Sequence, residues 1–391
     1  MKYFFKRDTI GATLAVFMLM GLLSLVPLNT HILDPLKMAL SDISFNDLSF
    51  AVLKTHKENA VDDKIVVINI GEADRTEIAA VLNKIKTAKT KVIGLDVLFL
   101  GPKEPAIDSA LNKTINGIPN IVLSEKLNFE DKEELLPNYF STPQSHSGYV
   151  NFVGEKAGVI RYFSPFETIR DSVHNSFAAA VVEVADEVNF NLLKKRKHNL
   201  EYINYKRQED QYFIINYQDI LNGKATLDVL NNKVVLIGYV NNNPANIEDK
   251  HFTPLNEKFV GKSIPDMNGV IIHANIVSMI LSNQYIKKTP AWVNWTFALI
   301  LTWVFMAFIL KYYLEHHIWF HLAAKTIQLI LTVVFIYLGI FFTKYFSLYI
   351  NLSYALVGIV LAVDVLYFYE GFAQWAIKKF NFKSLFNKPH H

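Results

Sequence analysis

The chain has 391 residues, no cysteine and a net charge of +3, which excludes disulfides, thiolate-bound zinc and cysteine nucleophiles and leaves no electrostatic case for nucleic acid. With 51% hydrophobic and 13% aromatic residues and a mean hydropathy of +0.19, it is too apolar for an ordinary soluble protein, so membrane segments are expected. The basic opening MKYFFKR leads into an apolar run over residues 10–28, close to the ~20 residues of a bilayer-spanning helix. A cleaved signal peptide is the rival reading. The run is longer than a signal's apolar core and no small-x-small site follows, which favours an uncleaved anchor with residues 1–9 in the cytoplasm.

Residues 34–57 have helical spacing, with Leu36, Leu40, Ile43, Leu48 and Leu53 as the apolar positions and Asp34-Pro35 as a start signal. KIVVINI (64–70) reads as a strand, 73–87 as an amphipathic helix with Ile78, Val81, Leu82 and Ile85 inward, and 92–98 as a second strand, an order that demands a parallel crossover. A helix over 106–114 and a strand over 120–123 extend the sheet. GYVNF (148–152) and GVIRYF (158–163) read as one hairpin, 176–186 as an alanine-rich helix, and LEYINYK with YFIINY as a second hairpin around 208–210. KVVLIG then returns to the sheet in a strand too apolar to have a wet face, followed by a long excursion through DKHFTPL. The helix GVIIHANIVSMIL comes next, with Ile271, Ala274, Val277, Met279, Ile280 and Leu281 on its apolar side. Nothing divides 29–290, which is expected to be one domain.

In open α/β sheets ligands collect at the carboxyl ends of strands, which singles out Asp96 and the loop after Gly238. Acids at such ends also cap helices and turns, so the plain structural role stands beside the functional one. His273 opens the last helix and is placed to act with Asp249, His251 and Asp96, although a solitary histidine there is commonly structural and no second histidine follows at i+4. Thr253-Pro254 most simply fixes a turn, with Asp249 accepting backbone hydrogen bonds. The ligand-binding candidates are Asp96, Asp249, Thr253, His273 and Asn275. No metal set or cofactor is expected. The phosphate-loop, Gly-x-Ser-x-Gly and His-Glu-x-x-His patterns are absent, and FVGKS (259–263) lacks the upstream glycine of a phosphate loop, so catalysis has no support.

Three further apolar runs, 291–310, 326–343 and 346–369, carry tryptophan and tyrosine near their ends, as headgroup-level residues do. Lys2, Lys6 and Arg7, then Lys311 and Lys325, then Lys378, Lys379, Lys383 and Lys388 fall on one side if the chain crosses four times. Both termini are then cytoplasmic and 29–290 lies outside. Asp364 interrupts the last span and needs a partner, for which Lys311, His316, His317 and Arg7 are the candidates; alternatively it reaches the interface near Glu370. Asp364 and Lys311 are therefore the candidates for intramembrane coupling. The tail, 370–391, mixes lysine with tryptophan and phenylalanine, as an interfacial helix or a partner contact would.

Together KIVVINI, KVIGLDVLF with Asp108, GYVNF with AGVIRYF, INY (215–217) with QDILNG, and VVLIG with Asp249, Thr253, Pro254 and GVIIHAN resemble the CHASE2 family of extracytoplasmic sensory domains. The resemblance spans about 34–290, and one span before the domain with three after it is also the family's arrangement. It departs at Asn69, where an acid is usual, and at EADRTE (72–77), which replaces a Trp/Pro-rich turn. Family members usually continue into a cytoplasmic kinase or cyclase, whereas 371–391 is too short for a domain, which implies an output lost or supplied by another polypeptide.

The expected fold is thus a mixed, largely parallel α/β extracytoplasmic domain with flanking helices and hairpins, plus four transmembrane helices. The expected role is that of a non-enzymatic sensor subunit in a bacterial cytoplasmic membrane. Its expected partners are the lipid bilayer, an unidentified extracytoplasmic ligand, a separate effector protein and a second copy of itself. A non-sensing docking subunit of an envelope complex is the alternative.

Overall fold

The computed structural model describes residues 3–25, 61–128, 134–153, 158–241, 243, 246–256, 264–315 and 319–387; the helix read over 34–57 lies outside them. The chain divides into two units, 50–286 and 1–49 with 287–391. Helix α1 (Arg7–Leu25) belongs to the second.

In the first unit, β1 (Ile65–Asn69) is an IVVIN run buried along nearly its whole length. Asp74 then starts α2 (Arg75–Ile85): its carboxylate accepts the Glu77 N–H at 2.8 Å while Glu77 accepts the Asp74 N–H at 3.0 Å, a capping box. β2 (Val92–Leu95), α3 (Pro105–Asn116), β3 (Ile121–Asn128), β4 (Glu134–Leu136) and β5 (His146–Tyr149) follow. The middle of the domain holds β6 (Tyr162–Phe163), β7 (Phe166–Ile169), β8 (Ser172–Asn175), α4 (Phe177–Ala185), α5 (Glu187–Arg196) and β9 (Glu201–Tyr202). The chain closes with β10 (Phe213–Asn216), α6 (Tyr217–Leu221), β11 (Val234–Gly238), β12 (Lys250–His251), β13 (Met267–Asn268) and α7 (Gly269–Leu281).

The main sheet has the order β10-β1-β11-β2-β3, with β4 and β5 both on β3, and every pairing but β3–β4 is parallel. Both expected hairpins are corrected. β5 is a parallel strand on β3, and among the described residues its neighbourhood pairs with 158–163 at the isolated bridge Val153–Tyr162. β9 pairs with β6, while β10 pairs with the distant β1. The hairpin that does form is β7–β8, turned by Arg170 and Asp171 with φ of 45° and 64°; two successive left-handed residues make a tight turn without the glycine that usually announces it.

Side chains alternate across the sheet. Val66, Ile68, Ile93, Leu95, Val235 and Ile237 face α2, α3 and α6 in one core. The other face carries Gly94, where a Cβ would lie 2.9 Å from Leu236 Cδ2, 2.9 Å from Val181 Cγ2 and 3.0 Å from Phe177 Cζ, so α4 sits directly on the strand backbone. Gly94→Ala is expected to lower the unfolding free energy by about 1–3 kcal/mol through overpacking, read as a shifted denaturation midpoint at constant m. An unshifted midpoint would show that α4 recedes freely. Helix α7 is buried from Gly269 to Ile280 on every side, not only on the apolar side read from sequence, so its His273, Asn275 and Ser278 lie inside the protein.

The second unit joins α1 to α8 (Ala291–Glu315), α9 (Phe320–Phe346) and α10 (Ser353–Phe380), with β14 (Lys287–Lys288) paired to β15 (Leu348–Tyr349). These four helices are long and apolar enough to cross a membrane. The reversal between the last two falls at Ser347, with φ of 50°, and α10 starts where Asn351 accepts the Ser353 N–H at 3.1 Å. Lys344-Tyr345, read as the break, lies inside α9. Nor is the AQWAIKKF stretch a separate interfacial helix: α10 runs through it to Phe380.

Candidate functional site

Asp96 follows β2, and its N–H donates to Ile237 O at 2.8 Å, which sets it beside the end of β11. A Cβ on Gly238, the last residue of β11, would lie 3.4 Å from Asp96 Cβ and 2.8 Å from Val270 Cβ, so the first turn of α7 closes on the same point. Asn268 precedes α7 without capping it through its side chain. Asp249 serves instead: held at a left-handed φ of 53°, it accepts the Gly269 N–H through its carbonyl at 3.2 Å and its carboxylate at 3.3 Å. A carboxylate at a helix N-terminus is favoured by the helix dipole.

The two acids lie near enough for the charge of one to act on the other. Burial, and then the charge of Asp249, push the half-buried Asp96 carboxyl up to about 7. Asp249 Oδ1 is 3.9 Å from His251 Nε2. The His251 ring stands edge-on to Phe152 at 5.2 Å, and Phe152 in turn covers His273 at 4.7 Å. His273 is 3% exposed and hydrogen-bonds the Val150 backbone; burial, reinforced by His251, pushes its imidazole down to about 3 and keeps it neutral. Its Nδ1 is buried with no hydrogen-bond partner. Asp96, Asp249, His251 and His273 thus form one continuous strip from the strand ends down the start of α7, as the sequence reading grouped them.

The other two ligand candidates lie outside that strip and are engaged internally. Thr253 is pinned to Asp266, its N–H at 2.8 Å from Oδ1 and its hydroxyl at 2.5 Å from Oδ2. Burial pushes Asp266 up to about 6 against those hydrogen bonds. Asn275 staples α7 to the chain before β10: its Oδ1 accepts the Lys206 and Arg207 N–H groups at 3.1 and 3.2 Å, and its Nδ2 donates to Arg207 O at 3.0 Å. Asn69 accepts the Gly71 and Val240 N–H groups, each at 2.9 Å, and donates to Asn216 Oδ1 at 3.2 Å. An ionised acid has no donor for that last bond.

In the helical unit, Asp364 faces Lys325 at 3.9 Å, while Lys311 faces Glu315 at 3.9 Å, so the two coupling candidates are not brought together. His316 and His317 lie outside the described residues.

Sequence reasoning did not find the buried arginine pairs. Arg75, from the departing EADRTE stretch, meets Asp108 at 2.5 Å and Gly101 O at 2.6 Å beneath Phe99 and Phe140. Although burial pushes it up, the Arg75 hydrogen bond and the Lys103 N–H hold the Asp108 carboxyl below the usual carboxylate range. Arg207 meets Asp62 at 2.7 Å, and Arg196 forks onto Glu201 at 2.5 and 3.0 Å. The available signal was arginine itself, scarce in a lysine-rich chain and suited to buried bidentate pairing. Among the described residues no group of three or more His, Asp or Glu side chains is placed to hold a metal ion.

A largely parallel α/β domain with helices long and apolar enough to cross a membrane before and after it in sequence describes a class of membrane-associated proteins. The CHASE2 domain model matches residues 13–311, so the chain belongs to the CHASE2 family, whose defining unit is an extracytoplasmic sensory domain. No curated protein and no solved structure matches the chain.

Proposed function

We propose that the chain is a multi-pass sensor subunit of a bacterial cytoplasmic membrane, with its CHASE2 domain in the periplasm, both ends of the chain in the cytoplasm and no catalysis of its own. A ligand-induced shift in that domain is passed to a separate effector protein, and a second copy of the chain is the partner within the bilayer. Family membership and the four apolar helices support the membrane-sensor part, and the lysines flanking those helices support the orientation. The observation that carries the reading is the Asp96–Asp249 pair, two carboxylates at a helix start with one held near neutrality, which an incoming cation or proton changes in charge. The coupling candidates are carried forward as Asp364 with Lys325. The docking-subunit alternative draws on Thr253 and Asn275, whose polar atoms are spent on internal bonds.

The cysteine-free chain makes the topology directly testable. Ser172→Cys, on the exposed β8, is expected to react with a membrane-impermeant maleimide on intact cells, and Asn387→Cys only after permeabilisation. The reverse pattern sinks the sensor reading. Mild-detergent purification followed by mass spectrometry separates the rivals. A sensor exchanges its effector with conditions, whereas a docking subunit keeps a fixed stoichiometric partner.

A further inference from the structure

Asp8, in the first turn of α1, is only 2% exposed. Its Oδ1 accepts from Ser384 Oγ at 2.8 Å and from Tyr369 Oη at 3.3 Å, and its Oδ2 accepts the Leu385 N–H at 2.8 Å. Ser384 and Leu385 belong to the segment after α10. Asn381 ends that helix in a left-handed conformation, φ 52°, and turns the chain back along the helices. Phe386 follows at 1% exposure, its ring centroid 6.2 Å from that of Tyr313 and 6.3 Å from that of Tyr369. One buried carboxylate and one aromatic plug therefore hold 381–387 against the ends of α1, α8 and α10.

The clasp depends on the position of α1 along its axis. A Cβ on Gly11 would lie 2.5 Å from Tyr369 Oη, so the Tyr369 ring of α10 packs directly on the α1 backbone there, and Asp8 sits one turn before that contact. Moving α1 by a single residue step, ~1.5 Å, stretches a 2.8 Å hydrogen bond past the range in which it survives. Helix α1 is also the helix that precedes the CHASE2 fold in the chain.

We propose that residues 381–387 are a releasable output segment, docked by Asp8 as seen here and freed when α1 slides, which presents Ser384, Leu385 and Phe386 to a cytoplasmic partner. The proposal rests on the sensor reading above, because it supplies that reading with its point of exit. The docked segment is held by hydrogen bonds to one carboxylate and by the buried Phe386 ring, contacts that can be broken without unfolding the helices around them.

Limited trypsinolysis of the full chain in lipid nanodiscs tests it, followed by intact mass. Lys383 is exposed, and cleavage after it needs 384–386 to leave the clasp. Asp8→Ala is expected to accelerate this cleavage about tenfold or more, the equivalent of one charged hydrogen bond lost, and Ser384→Ala less. Leu22→Arg, at an exposed α1 position, draws that helix toward the outer headgroups as the guanidinium seeks water, and is expected to accelerate cleavage about threefold or more. The Asp8→Ala/Leu22→Arg pair should be no faster than Asp8→Ala alone.

An unchanged rate in both Asp8→Ala and Ser384→Ala, with helicity equal to that of the parent chain, overturns the clasp. Acceleration by Asp8→Ala but not by Leu22→Arg overturns the link to α1. Neither outcome depends on which face of the membrane the domain occupies, so failure here and failure of the maleimide pattern are separate results.

Discussion

Asp62→Ala is expected to lower the stability of the CHASE2 domain by about 3–5 kcal/mol, a large part of what a domain of this kind has. The residue is 5% exposed and precedes β1, where its Oδ1 accepts the Lys64 and Ile65 N–H groups at 2.8 and 3.1 Å. Its Oδ2 takes the Arg207 guanidinium at 2.7 Å and the Ser278 hydroxyl at 2.9 Å. One carboxylate thus joins the start of β1, the chain entering β10 and helix α7. Alanine leaves two strand-initiating N–H groups without their acceptor and a partly buried guanidinium without its carboxylate, although Arg207 keeps the Ser278 hydroxyl at 3.2 Å, and each buried unmet donor costs about 1–3 kcal/mol. Asp62→Asn keeps an acceptor for the N–H groups but not the charge, and should fall between. Arg207→Met added to Asp62→Ala should recover much of the loss, because the unpaired charge goes with it. Denaturant unfolding followed by circular dichroism reads all three. A loss below about 1 kcal/mol in Asp62→Ala would mean that solvent already shares the pair.

That carboxylate shows which parts of the fold the sequence makes legible. β1, β2 and β11 are apolar runs rich in β-branched residues because they are covered on both faces, and such runs declare themselves. The start of α2 declares itself through Asp74 and Glu77. β10 does not, because its partner β1 lies some 150 residues away in the register Val66–Phe213, and parallel pairing at that distance leaves no local pattern. YFIINY was therefore matched to its sequence neighbour LEYINYK. Strand-end geometry explains why Asp96 and Asp249 were found together. Asn275 and Thr253 look the same in sequence whether they face a ligand or the protein's own backbone, and only the register of α7 against 206–207 and of β12 against β13 decides it. Asp364 met Lys325 rather than Lys311 for a similar reason: the offset of α9 along α10 is set by packing, including Gln328 donating to Ile359 O at 2.8 Å.

Asp96→Asn is expected to make the domain more stable at pH 8 while leaving it unchanged near pH 4, so the difference between the two proteins should open with rising pH. An aspartate ordinarily titrates at 3.8, and Asp96 in the folded domain at about 7. Between those values only the folded state holds the proton, so stability falls as pH rises, by at most about 1.4 kcal/mol per unit and less for a half-buried group. Asp266, at about 6, adds a falling contribution up to that pH. His273 opposes both: from about 3 to 6.5 only the unfolded chain binds its proton, so its contribution rises with pH. The parent chain should therefore lose stability from about pH 4 to 6 and again as pH approaches 7. In Asp96→Asn, Asp266 and His273 offset one another below about 6 and the curve is nearly level. Parallel curves for the two proteins across pH 4–8, or a less stable variant at pH 8, would remove Asp96 from this role. Because the charge of Asp249 acts on Asp96, the proton on Asp96 near pH 7 changes the net charge beside the start of α7, where Asp249 caps the helix.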